Sequence, residues 1–354
     1  MATIRDVALL AGVGVATASR AISGKGAVSP DALTRVREAV RALDFRPSRT
    51  ARALASKSVG MVGVYVPTFE GTYFAPILQA IESELRAHNH HMVAASNFGQ
   101  GSRRSKSLNG MHFLIERECD GILAVDSYTL DEDLMALRQP MRRLVLINRV
   151  VHGMEGDCFS VDHEAAGHLA ARALLAQGHR ALATMHSLRH SPDVDVRMRG
   201  FRAELAAHGL TPAREFVIDG LLNFANAWEQ AGAIVELSQR PFSALFCAND
   251  VLAVATLSRL QGAGIRVPQD LSVLGYDGAE LGAYTSPALS TVRIDSARIA
   301  ANACRHLMNQ CYASGLEVQR SFEAEVLMRH SVAPGPYPPS QPRAGVRPER
   351  ALLP

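Results

Sequence analysis

Val15, Ala16 and Arg20 have the types and the spacing to read the edge of a base pair. At the start of a helix and one turn later, they share the face that a recognition helix offers to a major groove. Arg20 can donate a pair of hydrogen bonds to a guanine edge, while Val15 and Ala16 offer apolar contact, for example to a thymine methyl. The hydroxyls of Thr17, Ser19 and Ser29 suit phosphate oxygens, contacts that position a domain without specifying sequence. A second polar set follows short apolar runs in the body of the chain: Asn97, Asp126, Asn148, Arg149, His186, Asp219, Asn249, Asp250 and Asp277, with Pro67 after the first run. Carboxylates and amides together accept and donate, which suits a polyhydroxylated ligand. Arg197, near a helix entrance, can hold hydroxyls in a fork of charge-assisted hydrogen bonds. Tyr73 and Phe74 can offer an aromatic face to a sugar ring. Structural alternatives stand beside these readings: Asn249 and Asp250 can cap the helix that begins at Val251, and Asp277 can make an Asx turn before Gly278.

Catalysis finds little support. His163-Glu164-Ala165-Ala166-Gly167-His168 looks like a zinc-protease helix, but three residues rather than two separate Glu164 from His168, which places the imidazoles off one helix face. His88, His90 and His91 read as a polar helix end. Neither Gly-x-Ser-x-Gly nor Gly-x-x-x-x-Gly-Lys-Ser/Thr occurs. The five cysteines (Cys119, Cys158, Cys247, Cys304, Cys311) are dispersed, with no Cys-x-x-Cys, and suit reduced thiols better than a disulfide scaffold. No enzymatic activity, no cofactor and no metal is expected.

The elements that must position these residues begin with a basic head. Residues 1–58 hold ten Lys and Arg against four Asp and Glu, an excess of six, although the 354-residue chain carries only +3. A basic head on a slightly acidic body points to a nucleic-acid-binding module attached to something else. Thr3 followed by Asp6 resembles a capping box, opening a helix to about Ala11 with Ile4, Val7, Ala8 and Ala11 on one face. Gly12-Val13-Gly14 makes a tight turn, and a second helix runs from Val15 to about Ile22. Ser29 is a suitable N-cap and Pro30 a suitable first residue for a third helix to about Leu43. Two helices joined by a three-residue turn and braced by a third make a helix-turn-helix. A dinucleotide loop at Gly12 and Gly14 would need a preceding strand and a third glycine, and has neither.

From Gly60 the pattern becomes short apolar runs alternating with amphipathic stretches. Strands are predicted at Met61–Val66, His91–Ser96, Gly121–Val125, Leu144–Ile147, Leu182–Met185, Phe216–Ile218, Ala244–Cys247 and Ser272–Tyr276. Helices are predicted at Ala75–His88, Ala165–Gln177, Arg199–His208 and Val251–Gln261. This alternation predicts parallel, doubly wound sheets in two halves that divide near Asp157–Val161, with Ser290–Ile294 a return crossover. Ligands in such sheets bind beyond the carboxyl ends of the strands. The composition, 47% hydrophobic and 20% charged with a mean hydropathy of +0.03, supports a sizeable core. Charges interrupt each apolar stretch before it reaches the roughly 20 residues of a membrane span. The N-terminus lacks the pattern of an export signal, so a soluble, cytoplasmic and nucleoid-associated protein with no membrane partner is expected.

At Ala2-Thr3-Ile4-Arg5-Asp6-Val7-Ala8 and Ala11-Gly12-Val13-Gly14-Val15-Ala16-Thr17-Ala18-Ser19-Arg20 the sequence resembles the N-terminal signature of the LacI family of bacterial transcription regulators. Arg46-Pro47-Ser48-Arg49-Thr50-Ala51-Arg52-Ala53-Leu54-Ala55 resembles that family's hinge helix, and the resemblance extends to about Val332. It departs at Gly14, where the family usually has a capping Ser or Thr, and at Ala18, where Val is usual. The resemblance implies an α/β protein: an all-α helix-turn-helix head and hinge helix, then two doubly wound subdomains of periplasmic-binding-protein type. The expected boundaries are 1–46 for the head and 47–59 for the hinge. The effector-binding and dimerisation core is expected at 60–332, with an N-subdomain at 60–159 and 291–320 and a C-subdomain at 160–290 and 321–332. A disordered Pro/Arg-rich tail is expected at 333–354.

The resemblance also implies roles. DNA contacts would fall on Thr3, Val15, Ala16, Thr17, Ser19, Arg20 and Ser29, with Ser48, Ala51 and Leu54 in the hinge. A leucine at the Leu54 position wedges into the minor groove, and the hinge helix folds only on DNA. Arg197-Met198-Arg199-Gly200-Phe201, Ala248-Asn249-Asp250 and Val273-Leu274-Gly275-Tyr276-Asp277 resemble effector-contacting segments. This makes Arg197, Asn249, Asp277 and Asn148 candidate contacts, with Tyr73, Phe74 and Leu222 as walls; Leu222 departs from relatives with an aromatic there. Leu144-Val145-Leu146-Ile147-Asn148-Arg149, His186-Ser187-Leu188-Arg189-His190-Ser191-Pro192-Asp193 and the Val-Ala-Arg head look most like galactose repressors and isorepressors. A dimer on double-stranded palindromic operator DNA is therefore expected, released by a small sugar effector, a monosaccharide or disaccharide such as galactose or a galactoside. A purine or sugar phosphate acting as corepressor is the alternative, and a sugar-binding protein without regulatory role a remote one. No leucine heptad follows Val332, so a dimer rather than a tetramer is expected.

Overall fold

The computed structural model describes residues 2–23, 26–45, 59–141, 143–187, 192–219 and 222–336, in two compact units, Met1–Gly60 and Met61–Pro354. The first unit holds three helices, α1 (Ile4–Leu10), α2 (Val15–Ser23) and α3 (Pro30–Ala42). The capping box of α1 is closed in both directions: the Thr3 hydroxyl accepts from the Asp6 amide at 3.4 Å, and the Asp6 carboxylate accepts from the Thr3 amide at 2.8 Å. Ser29 caps α3 by accepting from the Ala32 amide, with Pro30 in the first turn. Val7, Ala8, Ala11, Ala18, Val36, Ala39 and Phe45 form a small core. The expected hinge helix, with Ser48, Ala51 and Leu54, lies outside the described residues.

The second unit is built on two sheets. β1 (Met61–Tyr65), β2 (His91–Ala95), β3 (Gly121–Ala124), β4 (Leu144–Ile147) and β5 (Cys158–Phe159) form a parallel sheet in the order β2-β1-β3-β4-β5. β6 (Leu182–Ser187), β7 (Arg214–Ile218), β8 (Ala244–Cys247), β9 (Ser272–Asp277), β10 (Ser290–Arg293) and β11 (Glu325–Leu327) form the other, in the order β11-β10-β9-β8-β6-β7. Its pairings are parallel except β10 with β11. β3, β4 and β8 are buried at every residue, as strands covered on both faces by helices must be. The covering helices are α4 (Phe74–Ala87), α5 (Arg103–Glu116), α6 (Asp131–Met141), α7 (His163–Ala176), α8 (Pro192–Ala207), α9 (Phe224–Val235), α10 (Asp250–Gly262) and α11 (Ser296–Tyr312). Among the described residues, no helix is long and apolar enough to cross a membrane.

Three features differ from expectation. β5 and β11 are two and three residues long, too short to carry an alternation, and the sequence gives no sign of them. Ser290–Arg293, read as the start of the return crossover, pairs with β9 inside the second sheet. The chain returns to the first layer only with α11, which packs on α4, β3 and β4, so the boundary expected at 291 moves to about 294–296. Residues 333–336, assigned above to the tail, include two that are held against the second sheet's unit. Ala333 donates to Ser272 at 3.1 Å, and Gly335 donates to the Gln177 carbonyl at 2.7 Å; residues 337–354 lie outside the described residues.

One packing contact sets the geometry of the second sheet's outer layer. α7 and α8 approach through Gly167 and Gly200: a Cβ on Gly167 would sit 2.0 Å from the Arg197 carbonyl oxygen, and one on Gly200 would sit 2.1 Å from that of Glu164. Ion pairs flank the contact, Arg199 with Glu164 at 3.0 Å and Arg172 with Glu204 at 2.9 Å. Because backbone meets backbone, neither neighbour can rotate out of the way. Gly200→Ala is expected to destabilise the protein by about 1–3 kcal/mol or more, seen as a lower midpoint in urea or thermal unfolding. An unchanged midpoint would mean that the two helices part without cost.

Candidate functional site

In the first unit, the turn before α2 turns one row of side chains outward. Val15 is 45% exposed, Ala16, Ser19 and Arg20 are exposed, and Thr17 is half-buried, while Ala18 points into the core at 0% exposure. Val15, Ala16 and Arg20 therefore share an outer face, as helical spacing requires. The Arg20 Nε donates to the Ala16 carbonyl at 3.3 Å, which lays the guanidinium back along the helix. Thr3 and Ser29 are exposed, but their hydroxyls are engaged in the caps already described.

In the second unit, a cavity of about 560 Å³ lies at the carboxyl ends of both sheets, within the range of about 300–1,000 Å³ usual for small-molecule sites. All seven candidate effector residues line it: Tyr73, Phe74, Asn148, Arg197, Leu222, Asn249 and Asp277. Asn148, Asn249 and Asp277 sit at the ends of β4, β8 and β9, and Tyr73, Phe74, Leu222 and Arg197 lie in the segments that follow β1, β7 and β6, as an open α/β sheet requires. The Arg197 guanidinium is 1% exposed and lies 3.4 Å over the Tyr276 ring. It donates to the Ala248 carbonyl and, at 3.2 Å, to Asp193 one turn earlier on α8. Asn148 and Asp277 have φ of +63° and +113°, left-handed backbone that costs of order 1–3 kcal/mol when rigidly held. These turns aim both side chains into the cavity at the ends of β4 and β9. Burial holds the Asp277 carboxyl well above the usual carboxylate range, against the pull of Arg197.

His163, dismissed above as part of an ill-spaced metal motif, joins the two sheets. Its Nδ1 lies 2.9 Å from the Tyr276 hydroxyl and 3.4 Å from an Arg197 nitrogen. A guanidinium only donates, so Nδ1 accepts, and Nε2–H donates to the Asn148 amide oxygen at 3.0 Å. The Asn148 oxygen is thereby engaged, and its amide NH2 remains for the cavity. Burial, reinforced by the charge of Arg197, pushes the His163 pKa down to about 4. His168 faces Glu204 instead, so the two histidines share no ligand position.

Other expectations are corrected. His186 is a buried residue within β6 that meets Arg202, and Asp219 is exposed; neither lines the cavity. Arg149 is committed to Asp126 at 3.0 Å and Asp131 at 2.6 Å. Asp250 accepts from Thr291 at 2.7 Å and the Ala279 amide at 2.6 Å, and burial raises its pKa to about 7. The capping alternative holds for Asn249, whose oxygen accepts from the Leu252 amide at 2.9 Å, although the residue lines the cavity as well. Sequence reasoning did not single out Asp193, Ser187, Arg103, Lys106 or Tyr128, all lining residues. The one legible signal was the Asp193–Arg197 spacing of four on a helix.

Residues 3–48 match the profile of bacterial regulatory proteins of the lacI family, and residues 171–332 that of the periplasmic binding protein-like domain. The chain is 31% identical to the HTH-type transcriptional regulator GalS of Salmonella typhimurium, over 94% of this chain and 97% of that protein. This chain belongs to the LacI family of bacterial regulatory proteins. As a LacI-family member it is a DNA-binding transcriptional regulator. It is equally, at 31%, identical to the HTH-type transcriptional repressor PurR of Vibrio atlanticus, over 94% of this chain and 99% of that one. The fold matches the crystal structure of the lac repressor dimer bound to operator and the anti-inducer ONPF, with a TM-score of 0.81 at 21% identity, over 94% of this chain and 99% of that one.

The His163 geometry fixes the sign of a pH effect. Between about pH 4 and 6.5 the unfolded chain binds a proton that folded His163 refuses, so this residue makes stability rise with pH across that window. Asp250 works the other way, its contribution falling as pH climbs from about 4 towards 7. The comparison between proteins therefore isolates His163: urea unfolding of His163→Gln is expected to rise less steeply over pH 4–6.5 than the parent protein. Parallel slopes would show that His163 takes up its proton as readily folded as unfolded.

Proposed function

We propose that this regulator is a repressor of sugar catabolism genes, acting in the cytoplasm as a homodimer on a palindromic operator. A small sugar in the cleft releases it, a galactose-type monosaccharide or disaccharide being the first candidate. The observation that carries the ligand reading is the set of buried polar atoms around the cavity with no partner among the described residues: the Tyr73 hydroxyl, Arg103 Nη1, Asp126 Oδ1, the Ser187 hydroxyl and Arg197 Nε. Buried polar groups are nearly always satisfied, and a molecule bearing several hydroxyls both donates and accepts. In the head, Arg20 reads a guanine edge while Val15 and Ala16 make apolar contacts, Thr17, Ser19, Thr3 and Ser29 lie near phosphates, and Leu54 wedges into the minor groove between the two hinge helices.

Sugar occupancy shifts the two halves of the body relative to one another, the hinge helices separate, and specific affinity falls. The relative named for purine repression supports a second reading, a purine acting as corepressor. Against it, the wall at Leu222 is aliphatic, and Tyr73 meets Phe74 edge to face at 5.2 Å rather than opening a slot for a flat base.

Arg20→Ala tests the reading head. The variant is expected to lose its preference for operator over random DNA, by about tenfold or more in the ratio of affinities, since one bidentate pair is worth about 1–3 kcal/mol. Equal weakening on both DNAs would make Arg20 a phosphate contact and would overturn its reading role.

A further inference from the structure

The cavity's charges do not all cancel locally. Asp126 is matched by Arg149 and Arg197 by Asp193. On α5, beside the end of β2, Arg103 and Lys106 both line the cavity, three residues apart and so on one helix face. Neither has a carboxylate partner among the described residues, whereas Arg104, on the opposite side of the same turn, is held by Asp133 at 2.6 Å. The Arg103 Nη1 is buried with no hydrogen-bond acceptor among the described residues, and its guanidinium stands 5.7 Å over the Tyr128 ring. Of the other lining carboxyls, Glu70 is exposed at the rim, and burial favours the uncharged form of Asp277. A buried guanidinium nitrogen with nothing to donate to is costly unless an acceptor arrives.

We propose that the cleft ligand carries an anionic group, a carboxylate or a phosphate, seated at Arg103 and Lys106. Its hydroxylated remainder lies at Asn148, Arg197 and Asp277. This inference rests on the sugar reading of the cleft and narrows it to an acidic sugar, a sugar acid or a sugar phosphate. An anion balances the positive charge that a neutral hexose leaves unmet, and guanidinium and ammonium together hold it by charge-assisted hydrogen bonds. Glu70, on the rim, disfavours a second anionic group at the outer end.

The test is calorimetric titration of the full chain with galactose, galactonate, galacturonate, galactose 6-phosphate and a purine base. At least one acid is expected to bind ten times more tightly than galactose, and that advantage is expected to shrink at least tenfold in the Arg103→Gln, Lys106→Gln double variant. Both side chains sit on the cavity wall, and an unchanged unfolding midpoint confirms that the variant is folded. An advantage confined to the carboxylates names a sugar acid, and one confined to the phosphate names a sugar phosphate. Galactose binding as tightly as every acid would overturn the inference and leave the sugar reading standing. Binding of the purine alone, or of no compound, would overturn both.

Discussion

A charged guanidinium buried at 1% exposure is the constraint from which the rest of the cleft follows. Arginine does not shed its proton in a protein, so the charge of Arg197 has to be met where it lies. Asp193 meets it from the same helix, the Ala248 carbonyl from the end of β8, and the Tyr276 ring from beneath. Its Nδ1 contact also obliges His163 to be the Nε2–H tautomer, and that proton fixes the Asn148 amide across the cleft. Asn148 sits at the end of β4 in the first sheet and Arg197 on a helix of the second, so one buried charge orders polar groups on both sides. The backbone contact at Gly167 and Gly200 holds the arginine in place from outside.

Much of this was legible in the residues, for physical reasons. Strand ends of an open α/β sheet are where ligands bind, and the polar residues after each apolar run could be read off without knowing how the strands pair. Caps at Thr3 and Ser29 and the proline at position 30 fixed the head's helices. The two-residue β5 and three-residue β11 carry no periodicity, because their pairing depends on neighbours distant in sequence. The sequence also could not separate lining residues from buried supports. Arg149 and Asp250 follow strands as Asn148 and Asn249 do, but ion pairs and hydrogen bonds turn them inward, and strand length alone moved His186 into β6. His163 was hidden because its partners, Asn148, Arg197 and Tyr276, are dispersed along the chain.

The same division of labour runs through both units. In the head, small side chains such as Ala18 let the helices close while Val15, Ala16 and Arg20 stay outside. In the body, Gly167 and Gly200 let two helices close while Arg197 points inward. Packing with minimal side chains sets the frame, and in the proposed reading a few long polar side chains do the recognising. Regulation requires the two recognitions to be coupled, with a free energy typically of about 1–3 kcal/mol that acts equally in both directions.

That reciprocity gives the most direct test. The dissociation constant of the full chain for the small molecule that binds it in the titrations above is measured by calorimetry with and without a saturating operator duplex selected by the protein from random DNA. A ligand affinity about 5–150-fold weaker on the operator, matched by the same factor in operator affinity when the ligand is saturating, is the result that the proposed release mechanism predicts. Equal ligand affinities in the two states would contradict the proposed coupling of ligand binding to DNA binding.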